Sequence, residues 1–225
     1  MTFVVAIEGI DGSGKGTTTR GVRARLEASG LSVATLSFPN YGRTAAARAI
    51  TEVLNGTVAV ADAYYLAGLF ALDRAETFIA EPLPAVDVVI FDRYTLSNAA
   101  FQMVRLPEDQ RDGFLAWLFD FEYRRLKVPE PDLNILMRIA PETATALVAR
   151  KAARDYTDQT RDAFEADAGY PRRVADAYSD IAARQLNGPW SVVEVADVDA
   201  GAEALKAPDV VAAEVEALIR KAMNP

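Results

Sequence analysis

The chain has no cysteine and no histidine among its 225 residues. The first absence removes disulfides, thiolate nucleophiles and cysteine metal sites. The second removes imidazole acid–base catalysis and histidine metal ligation. A chain without thiols also suits a reducing compartment. No stretch has the unbroken apolar length of a membrane span, and residues 1–8 lack the charged start of a secretory signal. Basic residues are the minority, 24 against 32 acidic, and the net charge of −8 argues against binding bulk nucleic acid. A small anion is still admissible where arginines cluster. There is no repeat, low-complexity tract or dividing linker, so residues 1–225 read as one domain. The expectation is a soluble, cytoplasmic protein with neither a membrane nor a nucleic acid as partner.

What remains for chemistry is Lys, Arg, Asp, Glu and hydroxyls, in a composition that is 51% apolar and ordinary for a globular protein. Phosphoryl transfer suits that set, because it asks for positioning and charge neutralisation more than for a strong base. The stretch Gly9-Ile10-Asp11-Gly12-Ser13-Gly14-Lys15-Gly16-Thr17 gives such chemistry a place. It follows the apolar run Phe3-Val4-Val5-Ala6-Ile7 and precedes a helical pattern over 18–28. Strand, glycine turn and helix N-terminus together converge backbone N–H groups on a phosphate, with no Cβ in the way. Lys15 reaches toward the terminal phosphates as a mobile point charge. The pattern G-x-x-x-x-G-K is complete, but Gly16 holds the place of the usual hydroxyl and Thr17 comes one later. The competing reading is a glycine-rich turn with no ligand.

Further strand patterns fall at 32–38, 86–91, 132–139 and 190–195. Helical patterns fall at 45–54, 62–79 with Asp62 as N-cap, 95–103, 108–127, 141–154 with Pro141 in the first turn, 162–187 and 209–223. The run 86–91 is nearly all apolar, as a strand covered on both faces is. Five strands alternating with helices imply an α/β fold: a doubly wound, five-stranded parallel sheet flanked by helices. Ligands then bind beyond the C-terminal ends of the strands, where Gly9, Phe38 and Asp92 lie.

Three constellations surround those ends. Asp92-Arg93-Tyr94 closes the buried strand, and the Arg93 guanidinium is a planar fork suited to phosphates. Phe70 and Arg74 share one face of the 62–79 helix, and Ser97, Asn98 and Phe101 follow Arg93 on the next. Together they can frame a flat base, although helical aromatics more often simply pack the core. Arg150, Lys151 and Arg154 precede a polar break at 155–160, with Arg161 and Asp162 beyond. They read equally as a lid over phosphates and as surface charges completing a helix C-terminus.

Taken together, these segments resemble the bacterial thymidylate kinases of the nucleoside-monophosphate kinase superfamily. The resemblance is carried by Ile7-Glu8-Gly9-Ile10-Asp11-Gly12-Ser13-Gly14-Lys15, Phe38-Pro39-Asn40-Tyr41-Gly42, Leu69-Phe70-Ala71-Leu72-Asp73-Arg74, Asp92-Arg93-Tyr94, Ser97-Asn98-Ala99-Ala100-Phe101 and the basic stretch 150–162. It runs from residue 3 to about 195. It implies transfer of the ATP γ-phosphoryl to dTMP with Mg²⁺, a step toward dTTP. It implies that residues 9–17 hold the ATP phosphates, and that Asp11 orients the acceptor phosphate or the metal, with Thr17 a second candidate metal ligand. Phe38, Tyr41 and Arg93 are expected around the dTMP phosphate, Phe70 stacked on thymine, and Arg74 and Asn98 at its edge, with Ser97 and Phe101 beside them. Asp162 and Phe164 are expected near the nucleoside. Lys15, Asp11, Arg93, Arg150 and Arg154 are the expected catalytic groups, the last two from a mobile lid at about 148–163. A homodimer is expected as well.

Four departures stand out. Gly16-Thr17 looks more like adenylate kinase, Asn40 stands where arginine is common, and Phe101 and Phe164 stand where tyrosine is frequent. Another nucleoside-monophosphate kinase, such as adenylate kinase, and a non-catalytic ATP-binding module are the alternatives.

Overall fold

The computed structural model describes residues 1–59, 62–152, 167, 169–197 and 204–224; the side chains of 150–152 are outside that description. Five strands, β1 (Phe3–Glu8), β2 (Val33–Ser37), β3 (Val88–Asp92), β4 (Leu133–Arg138) and β5 (Trp190–Glu194), form one sheet in the order β2-β3-β1-β4-β5. All four pairings are parallel. The apolar run of β1 is buried on both faces. Val5 and Ile7 join one apolar cluster, while Val4 and Ala6 join a second with Phe38, Phe91 and Tyr94. Ile7 and Ser37 both lie opposite Asp92, so β1, β2 and β3 end in one row.

The helices are α1 (Lys15–Ala28), α2 (Ala45–Leu54), α3 (Ala63–Ala80), α4 (Thr95–Met103), α5 (Arg111–Phe119), α6 (Pro141–Ala152), α7 (Tyr170–Ala183) and α8 (Pro208–Met223). Helix α1 starts three residues before its apolar pattern, because Gly14 turns the chain in the left-handed region at φ 85°. Asp62 caps α3 by accepting from Tyr65 N–H at 2.7 Å, and Thr44 caps α2 by accepting from Ala47 N–H at 2.9 Å. Among the described residues no helix is long and apolar enough to cross a membrane.

Two expected helices differ from the sequence pattern. The 108–127 stretch is a short 3₁₀ turn (Glu108–Gln110), then α5, then a π turn (Asp120–Arg125). In that wider turn Leu126 N–H donates to the Phe121 carbonyl five residues back at 2.9 Å. Glu122 and Tyr123 both end up buried. The 162–187 stretch is helical only over α7 in the described part; 162–166 and 168 lie outside it. Gly169 and Pro171 start this helix, where the missing proline N–H costs nothing, and do not interrupt it.

Candidate active site

The loop between β1 and α1 lies at the middle of the sheet, next to the end of β3. Arg93 N–H donates to the Ile7 carbonyl at 3.1 Å, which carries β3 pairing one residue past the strand. Arg93 itself sits at φ 65°, a left-handed conformation uncommon for a side chain larger than glycine. That turn aims its guanidinium back over the glycine loop. Nη1 donates to the Gly9 carbonyl at 3.2 Å and to Ser97 Oγ at 3.4 Å, and Nη2 is ion-paired with Asp11. The guanidinium also lies 5.2 Å from the Phe101 ring centroid. The Arg93 charge holds the exposed Asp11 carboxyl below the usual carboxylate range.

A buried carboxylate fastens this turn. Glu8, the last residue of β1, is fully enclosed. Its Oε1 accepts from Tyr94 N–H at 2.9 Å and Ser97 N–H at 3.2 Å. Its Oε2 accepts from Ser97 Oγ at 2.6 Å and Tyr178 Oη at 3.1 Å. Two N–H groups at the start of α4, that of Ser97 shared with the Tyr94 carbonyl at 3.2 Å, thereby find an anion, which suits a helix N-terminus. Burial pushes the Glu8 carboxyl up, against the pull of these donors and of Arg93.

Lys15 is buried beneath the loop, where its Nζ donates to the Gly9 carbonyl at 2.9 Å and the Ile10 carbonyl at 2.8 Å. Burial, reinforced by the Arg93 charge, lowers its pKa to about 7. The glycines around it are close-fitted. A Cβ on Gly12 would lie 2.2 Å from the Ala144 carbonyl oxygen in α6, and Gly12 has φ +84°. At Gly16 a Cβ would lie 3.4 Å from Asp92 Oδ2, so that carboxylate sits beside the place where a hydroxyl usually follows the loop lysine.

The two base-edge candidates meet between α3 and α4. Arg74 is 2% exposed and forms a two-pronged pair with the fully buried Glu122, through Nε at 2.6 Å and through Nη2. Asn98 Nδ2 donates to the Ala67 carbonyl at 2.9 Å and to Glu122 Oε1 at 3.1 Å, and its Oδ1 is buried without a partner. Phe70 is half-buried on α3 and Tyr41 is exposed. The Phe38 ring belongs to the core, packed on Phe78, Phe91 and Tyr94, so at this position only the backbone faces the crevice end of β2. Phe101 packs edge-on against Tyr170 and Tyr178 of α7. Arg154, Arg161, Asp162 and Phe164 lie outside the described residues, as do the side chains of Arg150 and Lys151.

The structure therefore draws Lys15, Asp11, Arg93, Ser97 and Phe101 to one crevice and sets Arg74 and Asn98 in one network. Sequence reasoning passed over Glu8, Glu122 and Tyr178. Glu8 had a signal: a carboxylate at the end of an otherwise apolar strand. Glu122 had a weaker one, a charge between Phe121 and Tyr123. Tyr178, whose Oη lies 2.7 Å from Ser97 Oγ, had none.

The thymidylate kinase family model matches residues 7–185, which takes in the loop, the Arg93 turn and both base-edge candidates. This chain belongs to the thymidylate kinase family. A thymidylate kinase of Mycobacterium tuberculosis is 40% identical over 214 residues, covering 92% of this chain and 99% of the relative. A thymidylate kinase of Xanthomonas oryzae is 29% identical over 72% of this chain and 67% of its own length. A probable thymidylate kinase of Methanocorpusculum labreanum is 29% identical over 77% of this chain and 84% of its own. As a thymidylate kinase family member, the chain is an ATP-dependent phosphotransferase of nucleotide biosynthesis that phosphorylates dTMP.

Proposed function

We propose that this crevice carries out transfer of the ATP γ-phosphoryl to the dTMP phosphate, with the residues in the following roles. The observation that supports it most is the convergence of two cations on one glycine loop: Lys15 Nζ and Arg93 Nη1 both donate to the Gly9 carbonyl. Both are free to exchange that carbonyl for phosphate oxygens. Residues 9–17 cradle the ATP phosphates with backbone N–H groups, and Lys15 neutralises charge at the terminal phosphates. The ATP nucleoside takes the cavity of roughly 390 Å³ beside Ile10, lined by Arg138, Ala140, Glu142, Arg172 and Asp176. Arg93 clamps the acceptor phosphate, with Asp11 fixing its orientation and Tyr41 alongside. Phe70 stacks on thymine, and Arg74 and Asn98 meet the base edge, with Ser97 and Phe101 closing the sugar side. Asp162 and Phe164 are assigned to the nucleoside, and Arg150 and Arg154 to lid charge on the transferring group.

The oxygen donors near the loop suit Mg²⁺, a hard cation that takes few protein ligands and several phosphate oxygens. Asp11, Asp92 and the exposed Thr17 are the groups that would hold it, directly or through water. When bound it supplies charge neutralisation at the phosphates.

A homodimer in the cytoplasm is the assembly we propose. It is supported by an apolar stripe on α3, where Tyr65, Leu72 and Ile79 recur every seven residues and stay exposed, Ile79 at 82%. Adenylate kinase activity is disfavoured by the match to the thymidylate kinase family. A coupled assay of ADP release with dTMP, dUMP, dCMP and AMP as acceptors tests the reading. It expects dTMP first and AMP at background; AMP as the preferred acceptor overturns it.

A further inference from the structure

The buried carboxylate Glu122 belongs to neither helix that carries a base-edge candidate, yet it touches both. It sits in the π turn after α5, fully enclosed. Arg74 of α3 pairs with it twice, Thr95 Oγ1 donates to Oε2 at 2.8 Å, and Asn98 Nδ2 donates to Oε1 at 3.1 Å. Thr95 and Asn98 are both on α4.

The consequence lies in the amide of Asn98. A primary amide can be turned over, exchanging its nitrogen and oxygen at little cost in shape. Here the two neighbours of the nitrogen are the Ala67 carbonyl and the Glu122 carboxylate, and both are acceptors only. Turning the amide would press its oxygen against two other oxygens and lose both hydrogen bonds. The amide is therefore locked with nitrogen toward Glu122. Its oxygen is left as a buried acceptor without a partner. That oxygen is covered, so a base engages it only as its neighbours give way.

We propose that Glu122 is a specificity-determining positioning residue: by fixing the Asn98 amide it obliges the pocket to present an acceptor, and so selects pyrimidines that carry N3–H over those with a bare N3. The inference rests on the base pocket proposed above. Thymine and uracil offer an N–H to that oxygen. Cytosine sets a lone pair against it, and the oxygen then stays unpaired as well, so discrimination comes from both sides of the contact. Without the Glu122 carboxylate only the Ala67 carbonyl opposes the turned amide, and Asn98 turns its NH₂ toward cytosine more readily.

The test is steady-state kinetics of the full chain with dTMP, dUMP and dCMP, on wild type, Glu122→Gln and Glu122→Asp. The glutamine carboxamide can donate to Asn98 Oδ1, which permits the turned amide. The aspartate keeps a counter-charge for Arg74 but withdraws from Asn98 by one carbon. Both variants should lower the dTMP/dCMP ratio of kcat/KM by about tenfold or more, the scale of one hydrogen bond. The dUMP/dCMP ratio should fall in parallel, since uracil differs from thymine only by the methyl group. If the glutamine variant does not fold, the aspartate variant decides. A purely structural role would depress all three acceptors together, and unchanged ratios in a folded variant overturn the proposal. Wild type that does not distinguish dTMP from dCMP overturns instead the pocket on which it rests.

Discussion

Lys15 shows how a residue read as a simple charge becomes a titrating group once it is buried. Its pKa of about 7 lies well below its ordinary value because burial and Arg93 both disfavour the ammonium. Below about pH 7 the folded and unfolded chains both hold this proton, and the cost of burying the charge is fully present. Between about pH 7 and the ordinary lysine range near 10.4, only the unfolded chain keeps the proton, so this group makes stability rise with pH. ATP reverses the preference, since its phosphates favour the ammonium. ATP binding should therefore take up a proton above about pH 7.5, where the phosphate itself is fully ionised. Affinity should weaken by up to about tenfold per pH unit there. Calorimetry in two buffers of different ionisation enthalpy measures the uptake. Lys15→Arg, with a charge that does not titrate, should abolish it; uptake that persists shows that another group titrates. Lys15→Ala should lower kcat more than it raises KM for dTMP, as expected for a charge that acts in the transition state. Arg74 carries a different lesson. Removing it would strip a buried carboxylate of its counter-charge, a loss of about 3–5 kcal/mol in stability, so kinetics of an Arg74→Leu protein alone would mix folding with base reading.

At the scale of elements, the glycine loop is held by what packs on it. Gly12 combines φ +84° with the Ala144 carbonyl of α6 where a Cβ would lie, so α6 and the loop are fitted to each other. Gly30 has φ +91° and nothing within 4 Å, so it bears the same backbone demand in open space. Gly12→Ala and Gly30→Ala should both show left-handed strain of about 1–3 kcal/mol in thermal or denaturant unfolding. Only Gly12→Ala should also lose turnover, roughly a hundredfold, as the loop or α6 shifts to relieve the clash. Equal kcat in the two variants would show that the α6 contact does not set the loop geometry.

For the whole molecule, the net charge of −8 is compatible with anionic substrates because Lys15 and Arg93 meet at one loop. The exposed α3 stripe makes a further expectation at this scale. Leu72→Glu puts a charge at the centre of the Tyr65, Leu72 and Ile79 row and should shift the protein from dimer to monomer in light scattering, with its unfolding midpoint little changed. A wild-type protein that is monomeric at micromolar concentration removes the stripe as an interface.

The elements themselves were legible in the sequence because their signals are local. The apolar runs of β1 and β3, the Asp62 cap, Pro141 in a first turn and the G-x-x-x-x-G-K spacing each state a backbone geometry without reference to distant residues. The parallel pairing followed from the alternation of strands and helices, but the strand order did not. What the sequence could not state was which partner each buried charge takes. Arg74 finds Glu122 across 48 positions, Glu8 finds Tyr178 across 170, and Arg93 finds Asp11 across 82. A π turn could not be read from periodicity, because a single wide turn leaves the apolar spacing around it almost unchanged. Only tertiary structure decided that Phe38 is core, that Lys15 is buried, and that the Asn98 oxygen is the atom left without a partner. Each depends on what the fold brings within hydrogen-bonding distance, or takes out of water.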